Sequence, residues 1–100
     1  MKQSVLEKAG QLSETLQCIA HPLRLLIVCM LIKREMFVGE IIGALGTTKG
    51  NISQHLRLLA DRGLIAHRKE GNKVFYSLKD KNLALLIGNM KDLYCPGFKI

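Results

Sequence analysis

No stretch of this 100-residue chain stays apolar for the roughly 20 residues that a membrane-spanning helix needs. Its opening, MKQSVLEKAGQ, alternates polar and apolar residues where an export signal would present a continuous apolar core and a small-residue cleavage site. Cysteine is scarce: Cys18, Cys29 and Cys95 are an odd number without close spacing, which excludes the paired framework of small secreted domains. A reducing cytoplasm is the expected compartment, with no membrane partner. Catalytic signatures are missing as well. Without a nucleophile elbow, a phosphate-cradling loop, paired catalytic carboxylates or a metal-hydrolase motif, the chain is not expected to be an enzyme, and no cofactor is expected. Acidic residues are in deficit, eight against fifteen Lys and Arg, for a net charge of +7. The remainder, 48% apolar and 23% charged, is the composition of a globular chain. Its length suits one domain over residues 1–100, with no repeat, low-complexity tract or linker.

The positive excess is local. Residues 47–81 carry eight basic and three acidic side chains, against five and four in residues 1–46 and two and one in residues 82–100. A concentrated basic field favours a polyanion through counterion release, whereas an evenly solvated surface mixes its signs. Double-stranded DNA is the expected partner.

Hydrophobic spacing orders the elements. Val5, Ala9, Leu12, Leu16 and Ile19 recur at helical intervals, which predicts an amphipathic helix from about Ser4 to Ile19. His21-Pro22 punctuates the chain, and the almost uniformly apolar Leu23 to Lys33 reads as a buried central helix. Phe37 to Leu45 reads as a short third helix stopped by Gly46. Thr48 then caps a fourth, with an inward stripe of Ile52, Leu56 and Leu59 ending before Gly63. Leu64–Arg68 and Val74–Leu78 are strand candidates joined through a Gly71-Asn72 turn, and Leu83 to Tyr94 is a last helix ended by Cys95-Pro96-Gly97. Leu83, Leu86, Ile87, Met90 and Tyr94 are expected to share its packing face. The fold class is mainly α with a small β-hairpin, a winged helix-turn-helix in the order α-α-α-α-β-β-α. The first and last helices would leave apolar faces in water on a monomer, so a homodimer joined through them is expected.

Thr47 to Leu56 and the hairpin Arg68 to Lys73 hold the residues suited to DNA. Lys49, Asn51, Gln54, His55 and Arg57 avoid the Ile52, Leu56, Leu59 stripe, so most of them should face outward. Asn and Gln can bind adenine bidentately, while Lys and Arg serve guanine or phosphate. Thr48 and Ser53 suit capping, phosphate contact or both. Arg68, Lys69 and Lys73 are assigned to phosphate or minor-groove contact, with Asn72 supplying turn geometry. Gly50, in the first turn of this helix, costs about 1 kcal/mol against alanine and has two readings, close backbone approach to DNA or a tolerated defect.

The element order resembles the ArsR/SmtB family of winged helix-turn-helix repressors over nearly the whole chain. Ala20-His21-Pro22-Leu23-Arg24 is similar to the family's opening of the second helix, and Asn51-Ile52-Ser53-Gln54-His55-Leu56 to its recognition helix. Arg68-Lys69-Glu70-Gly71 with Val74-Phe75-Tyr76-Ser77-Leu78 is similar to its wing. The resemblance implies a homodimer that binds an operator, usually as a repressor released by a chemical signal; a dimer that displaces another repressor would read the same.

What is sensed must come from outside that unit. Arsenic-responsive members carry a cysteine pair at the start of the third helix, where this chain has Phe37-Val38-Gly39-Glu40-Ile41-Ile42. Sensors that bind metal on the last helix need several ligands there, and Leu83 to Tyr94 offers only Asp92. His21 and His67 have no zinc-like spacing. Val28-Cys29-Met30-Leu31 and Leu93-Tyr94-Cys95 instead resemble the HlyU, BigR and SqrR group. The resemblance implies that Cys29 and Cys95 are redox-sensing thiols, linked by a disulfide or a longer sulfur bridge when reactive sulfur species or oxidants arrive. Lys91 and Lys99 flank Cys95 and favour its thiolate, while the helix dipole opposes it. Cys18 reads as a packing residue or a third, resolving thiol. Two alternatives stand beside the switch: a metal- or arsenite-responsive repressor with cysteine ligands, and a constitutive winged-helix binder whose cysteines only pack.

Overall fold

The computed structural model describes residues 2–98. The elements are α1 (Gln3–Ile19), α2 (Pro22–Lys33), β1 (Met36–Phe37), α3 (Val38–Leu45), α4 (Lys49–Asp61), β2 (Ile65–Glu70), β3 (Lys73–Leu78) and α5 (Lys81–Tyr94). Helix starts follow from side chains that satisfy the orphan N–H groups of a first turn. His21 Nδ1 accepts from the Leu23 amide at 3.1 Å ahead of Pro22, Thr48 Oγ1 from Asn51 at 3.2 Å, and Asp80 Oδ1 from Asn82 at 3.0 Å. Between α3 and α4 the turn needs a left-handed residue, which Gly46 supplies at φ 65°.

The core forms where α2, α4 and the sheet meet. Ile27, Val28, Ile41, Ile52, Leu56, Leu59, Ile65 and Ile87 are fully buried, and α2 is apolar on every side because α1, α4, α5 and β3 all pack against it. The fold is a winged helix-turn-helix: α3 and α4 form the helix pair, and β2 and β3 the wing. Glu70 pairs with Lys73 around a two-residue turn in which Gly71 takes φ 63°, the conformation a II′ hairpin turn asks of its first central residue.

Two elements depart from the expectation. Phe37 is not helical: Met36 and Phe37 are extended and pair with Tyr76 and Phe75, so the sheet has three strands in the order β1-β3-β2. The Phe37 amide donates to Glu40 Oε1 at 3.2 Å, half of a capping box, which places the start of α3 one residue later. α5 starts earlier than Leu83 because Asp80 caps it at Lys81. Of its expected packing face, Leu83 and Ile87 are buried, while Leu86, Met90 and Tyr94 are exposed. On α1 only Ile19 is buried. Among the described residues no single helix is long and apolar enough to cross a membrane.

Candidate nucleic-acid interface and thiol cavity

One face of α4 and the tip of the wing open onto the same cleft. Lys49 and Ser53 line one wall and Asn72, Lys73 and Val74 the other, over a floor that includes Phe37, Ile42 and Tyr76, enclosing about 510 Å³. Thr48, Lys49, Asn51, Ser53, Gln54 and Arg57 are all exposed, as are Lys69 and Lys73. Thr48 acts as the cap, and Asn51 Nδ2 donates to Thr47 Oγ1 at 3.0 Å, which orients its amide. Gly50 has open space where a Cβ would stand, so no contact within the chain requires glycine there. Lys73 Nζ lies 4.4 Å above the Phe37 ring.

His55 does not join this face. It is 7% exposed and points inward: its ring lies 4.5 Å from that of His21, and its Nδ1 lies 3.2 Å from Arg24 Nη1. Arg24 Nε in turn donates to the Cys18 carbonyl, so the trio ties α4 to the junction of α1 and α2. The spacing carried the signal, because 52, 55, 56 and 59 form the i, i+3, i+4, i+7 face of a buried helix. Burial first, then His21 and Arg24, hold the His55 imidazole below its ordinary pKa.

Arg68 is exposed but already partnered. It bonds Glu35, just before β1, and Glu70 on its own strand. Glu35 was not among the residues expected to matter; its separation from Arg68 in sequence hides the pair.

The thiols occupy two places. Cys29, 4% exposed on α2, and Cys95, exposed just beyond α5, line one open apolar cavity of about 170 Å³ with Leu25, Ile87, Met90, Lys91, Tyr94 and Phe98. Burial pushes the Cys29 thiol up, opposed by the charges of Lys91 and Lys33. Lys91 Nζ sits 5.4 Å from the Phe98 ring centroid, at the cavity rim. Lys99 lies outside the described residues. Cys18 lines a separate groove with Arg24 and Arg62, its thiol 3.8 Å from the Leu58 carbonyl oxygen and pushed up by burial against the pull of both arginines. Among the described residues no three of His, Cys, Asp and Glu gather as a metal-holding group.

Comparison with known proteins agrees with this architecture. The family model described as "Bacterial regulatory protein, arsR family" matches residues 21–67. The HTH-type transcriptional regulator YgaV of Escherichia coli K12 is 35% identical over 89 residues, 88% of this chain and 90% of that protein. Reduced HlyU from Vibrio cholerae superposes with a TM-score of 0.86 at 34% identity, covering 94% of this chain and 99% of that one. The transcriptional repressor BigR from Xylella fastidiosa superposes at 0.84 with 30% identity, over 95% and 98% of the two chains.

Proposed function

The chain belongs to the arsR family of bacterial regulatory proteins, DNA-binding transcriptional regulators, and from that premise we propose a homodimeric repressor that leaves its operator when Cys29 and Cys95 become linked. The observation that carries the switch is the shared apolar cavity of those two thiols, which belong to different elements. α4 enters the major groove with Lys49, Asn51, Gln54 and Arg57 toward the bases and phosphates, while Thr48, Ser53, Lys69 and Lys73 grip the backbone. The exposed apolar faces of α1 and α5 join two copies, so that the two α4 helices sit at a fixed separation on DNA. Repression follows the relatives named as repressors, the biofilm growth-associated repressors among them.

The inducer is a reactive sulfur species or oxidant. Cys95, being exposed, attacks first. With an organic trisulfide its thiolate displaces one RS⁻ from the central sulfur, and Cys29 then displaces the second. A Cys95–S–S–S–Cys29 bridge forms, two thiols leave with the two cysteine protons, and the cysteine pair is oxidised as the donor's S–S bonds are reduced. With peroxide, Cys95 becomes a sulfenic acid and Cys29 expels water to close a disulfide. Either bridge ties the end of α5 to α2, which packs on α4, and so changes the spacing of the two α4 helices without touching a DNA-facing residue.

The test is duplex binding by the reduced protein, repeated after trisulfide, peroxide, and zinc or arsenite treatment, with mass spectrometry of the Cys29 and Cys95 peptides. Loss of binding with a Cys29–Cys95 crosslink under sulfur or peroxide is expected. Unchanged binding without a bridge would defeat the switch and leave a constitutive binder; loss with metal alone would transfer the function to cysteine ligation.

A further inference from the structure

We propose that Arg68 and Glu35 are positioning residues that brace the wing against the body of the domain, and that Arg68 does not itself hold phosphate; this rests on the DNA-binding reading above. The register places Phe37, Phe75 and Arg68 opposite one another across all three strands, since Phe75 is the cross-strand partner of both others. On that face the Arg68 guanidinium lies 4.6 Å from the Phe75 ring centroid, and Phe75 meets Phe37 edge-on at 5.8 Å. Glu35, two residues before Phe37, reaches from the β1 side of the sheet over β3 to β2. Its Oε1 accepts from Arg68 Nη2 at 2.6 Å and its Oε2 from Nε at 3.1 Å. Glu70 takes the remaining Nη1. The contact is bidentate, the geometry in which arginine and carboxylate bind best, and it spans the full width of the sheet as a diagonal strut. β2 is an edge strand whose only neighbour in the sheet is β3, and its buried anchor to the helices, Ile65, lies at the end far from the wing tip.

The same geometry removes Arg68 from the phosphate-binding set. Each of its nitrogens already donates to a carboxylate and one face of the guanidinium is covered by a ring. The two carboxylates neutralise the charge that Arg68 would otherwise offer a phosphate. Lys73, on the same face, is in none of the close ion pairs among the described residues and lines the cleft to α4. The wing's working cations are therefore Lys69 and Lys73, and Arg68 sets the angle at which they are presented.

This yields an outcome that simple electrostatics would reverse. Removing an acidic group near a DNA face ordinarily tightens binding to a polyanion; here Glu35→Gln weakens it. The probe is a duplex enriched from a random-sequence library by the wild-type chain, titrated over a range of salt. Arg68→Gln and Glu35→Gln should each lose about fivefold in affinity, with the thermal midpoint retained and the double variant no weaker than either single one. The slope of log affinity against log salt should stay at the wild-type value in both, while Lys73→Gln lowers it by roughly 0.9, one phosphate contact. A reduced slope in Arg68→Gln, or Glu35→Gln binding as tightly as wild type, would overturn the brace while leaving DNA binding intact. If the wild-type chain enriches no duplex, the DNA reading itself fails and the inference falls with it.

Discussion

Arginine can only donate, so the Nδ1 of His55 that faces Arg24 must accept, and the imidazole is neutral with its proton on Nε2. Protonation would set a second positive charge beside Arg24 on a buried side chain. The unfolded imidazole takes its proton near pH 6.5, whereas the folded one, with its pKa lowered, does so only at more acid pH. The stability tied to this group is therefore complete above about pH 6.5 and is lost as pH falls toward the folded value. Thermal unfolding followed at about pH 7.5 and pH 5.5 should show a drop in wild type that is smaller in His55→Asn, which keeps an acceptor near Nδ1 but cannot charge. His55→Asn should also cost about 1–2 kcal/mol at neutral pH through lost packing. Gly50 permits the opposite experiment. With nothing near its missing Cβ, Gly50→Ala should stabilise α4 by up to about 1 kcal/mol in denaturant titration. If the stabilised variant binds duplex less well, the glycine serves the approach of DNA; equal binding makes it a defect the helix tolerates. Both residues show how the sequence is legible at this scale. The outward positions 49, 51, 53, 54 and 57 follow from the stripe they avoid, but position 55 flanks that stripe closely enough to be taken into it, and its partners Arg24 and His21 are more than thirty residues away.

At the scale of elements, α2 was readable as the central helix because a helix with no polar side has nowhere to lie but inside, and the wing because its strands flank a Gly-Asn turn. β1 was not, since two extended residues are too short for an alternating pattern and owe their conformation to pairing with β3. The start of α5 was missed for a related reason: Asp80 is a capping side chain hidden among the polar residues that follow the wing. Placement on these elements orders the thiols by access. Cys95 stands free beyond α5, Cys18 is half-buried at the end of α1, and Cys29 is inside α2. Alkylation of the native reduced chain should therefore mark Cys95 first, Cys18 more slowly and Cys29 only on unfolding, as peptide mass spectrometry would reveal. Rapid labelling of Cys29 in the native state would contradict its burial in α2. Removing the sulfur at Cys29 with alanine should cost about 1 kcal/mol, whereas Cys95→Ser should leave stability unchanged. Either variant should be deaf to trisulfide, so sensing and stability separate on Cys95.

For the whole molecule, the decisive quantity is the apolar surface that the single chain leaves uncovered. Leu12 on α1 and Leu93 on α5 are 68% and 77% exposed, and Val5, Leu6, Leu16, Leu85 and Leu86 accompany them. Amphipathic spacing made Val5, Leu12, Leu16 and Leu86 visible in the sequence, and their exposure on a single chain was expected because the middle helices and hairpin already supply a core. Leu6, Leu85 and Leu93 lie outside the expected stripes, where a spacing of three and four does not reach. A residue so exposed contributes little to the stability of its own chain, so Leu93→Glu should leave the folded domain intact. In a dimer the same change places an unpaired carboxylate on each side of a desolvated seam, at a cost of several kcal/mol. Sedimentation should then show wild type as a dimer and Leu93→Glu as a monomer, with duplex affinity reduced because each copy presents a single α4. Far-UV circular dichroism of the two should coincide. A wild-type chain that sediments as a monomer at micromolar concentration would remove the seam, and with it the route by which a bridge from α2 to the end of α5 alters the spacing of two recognition helices.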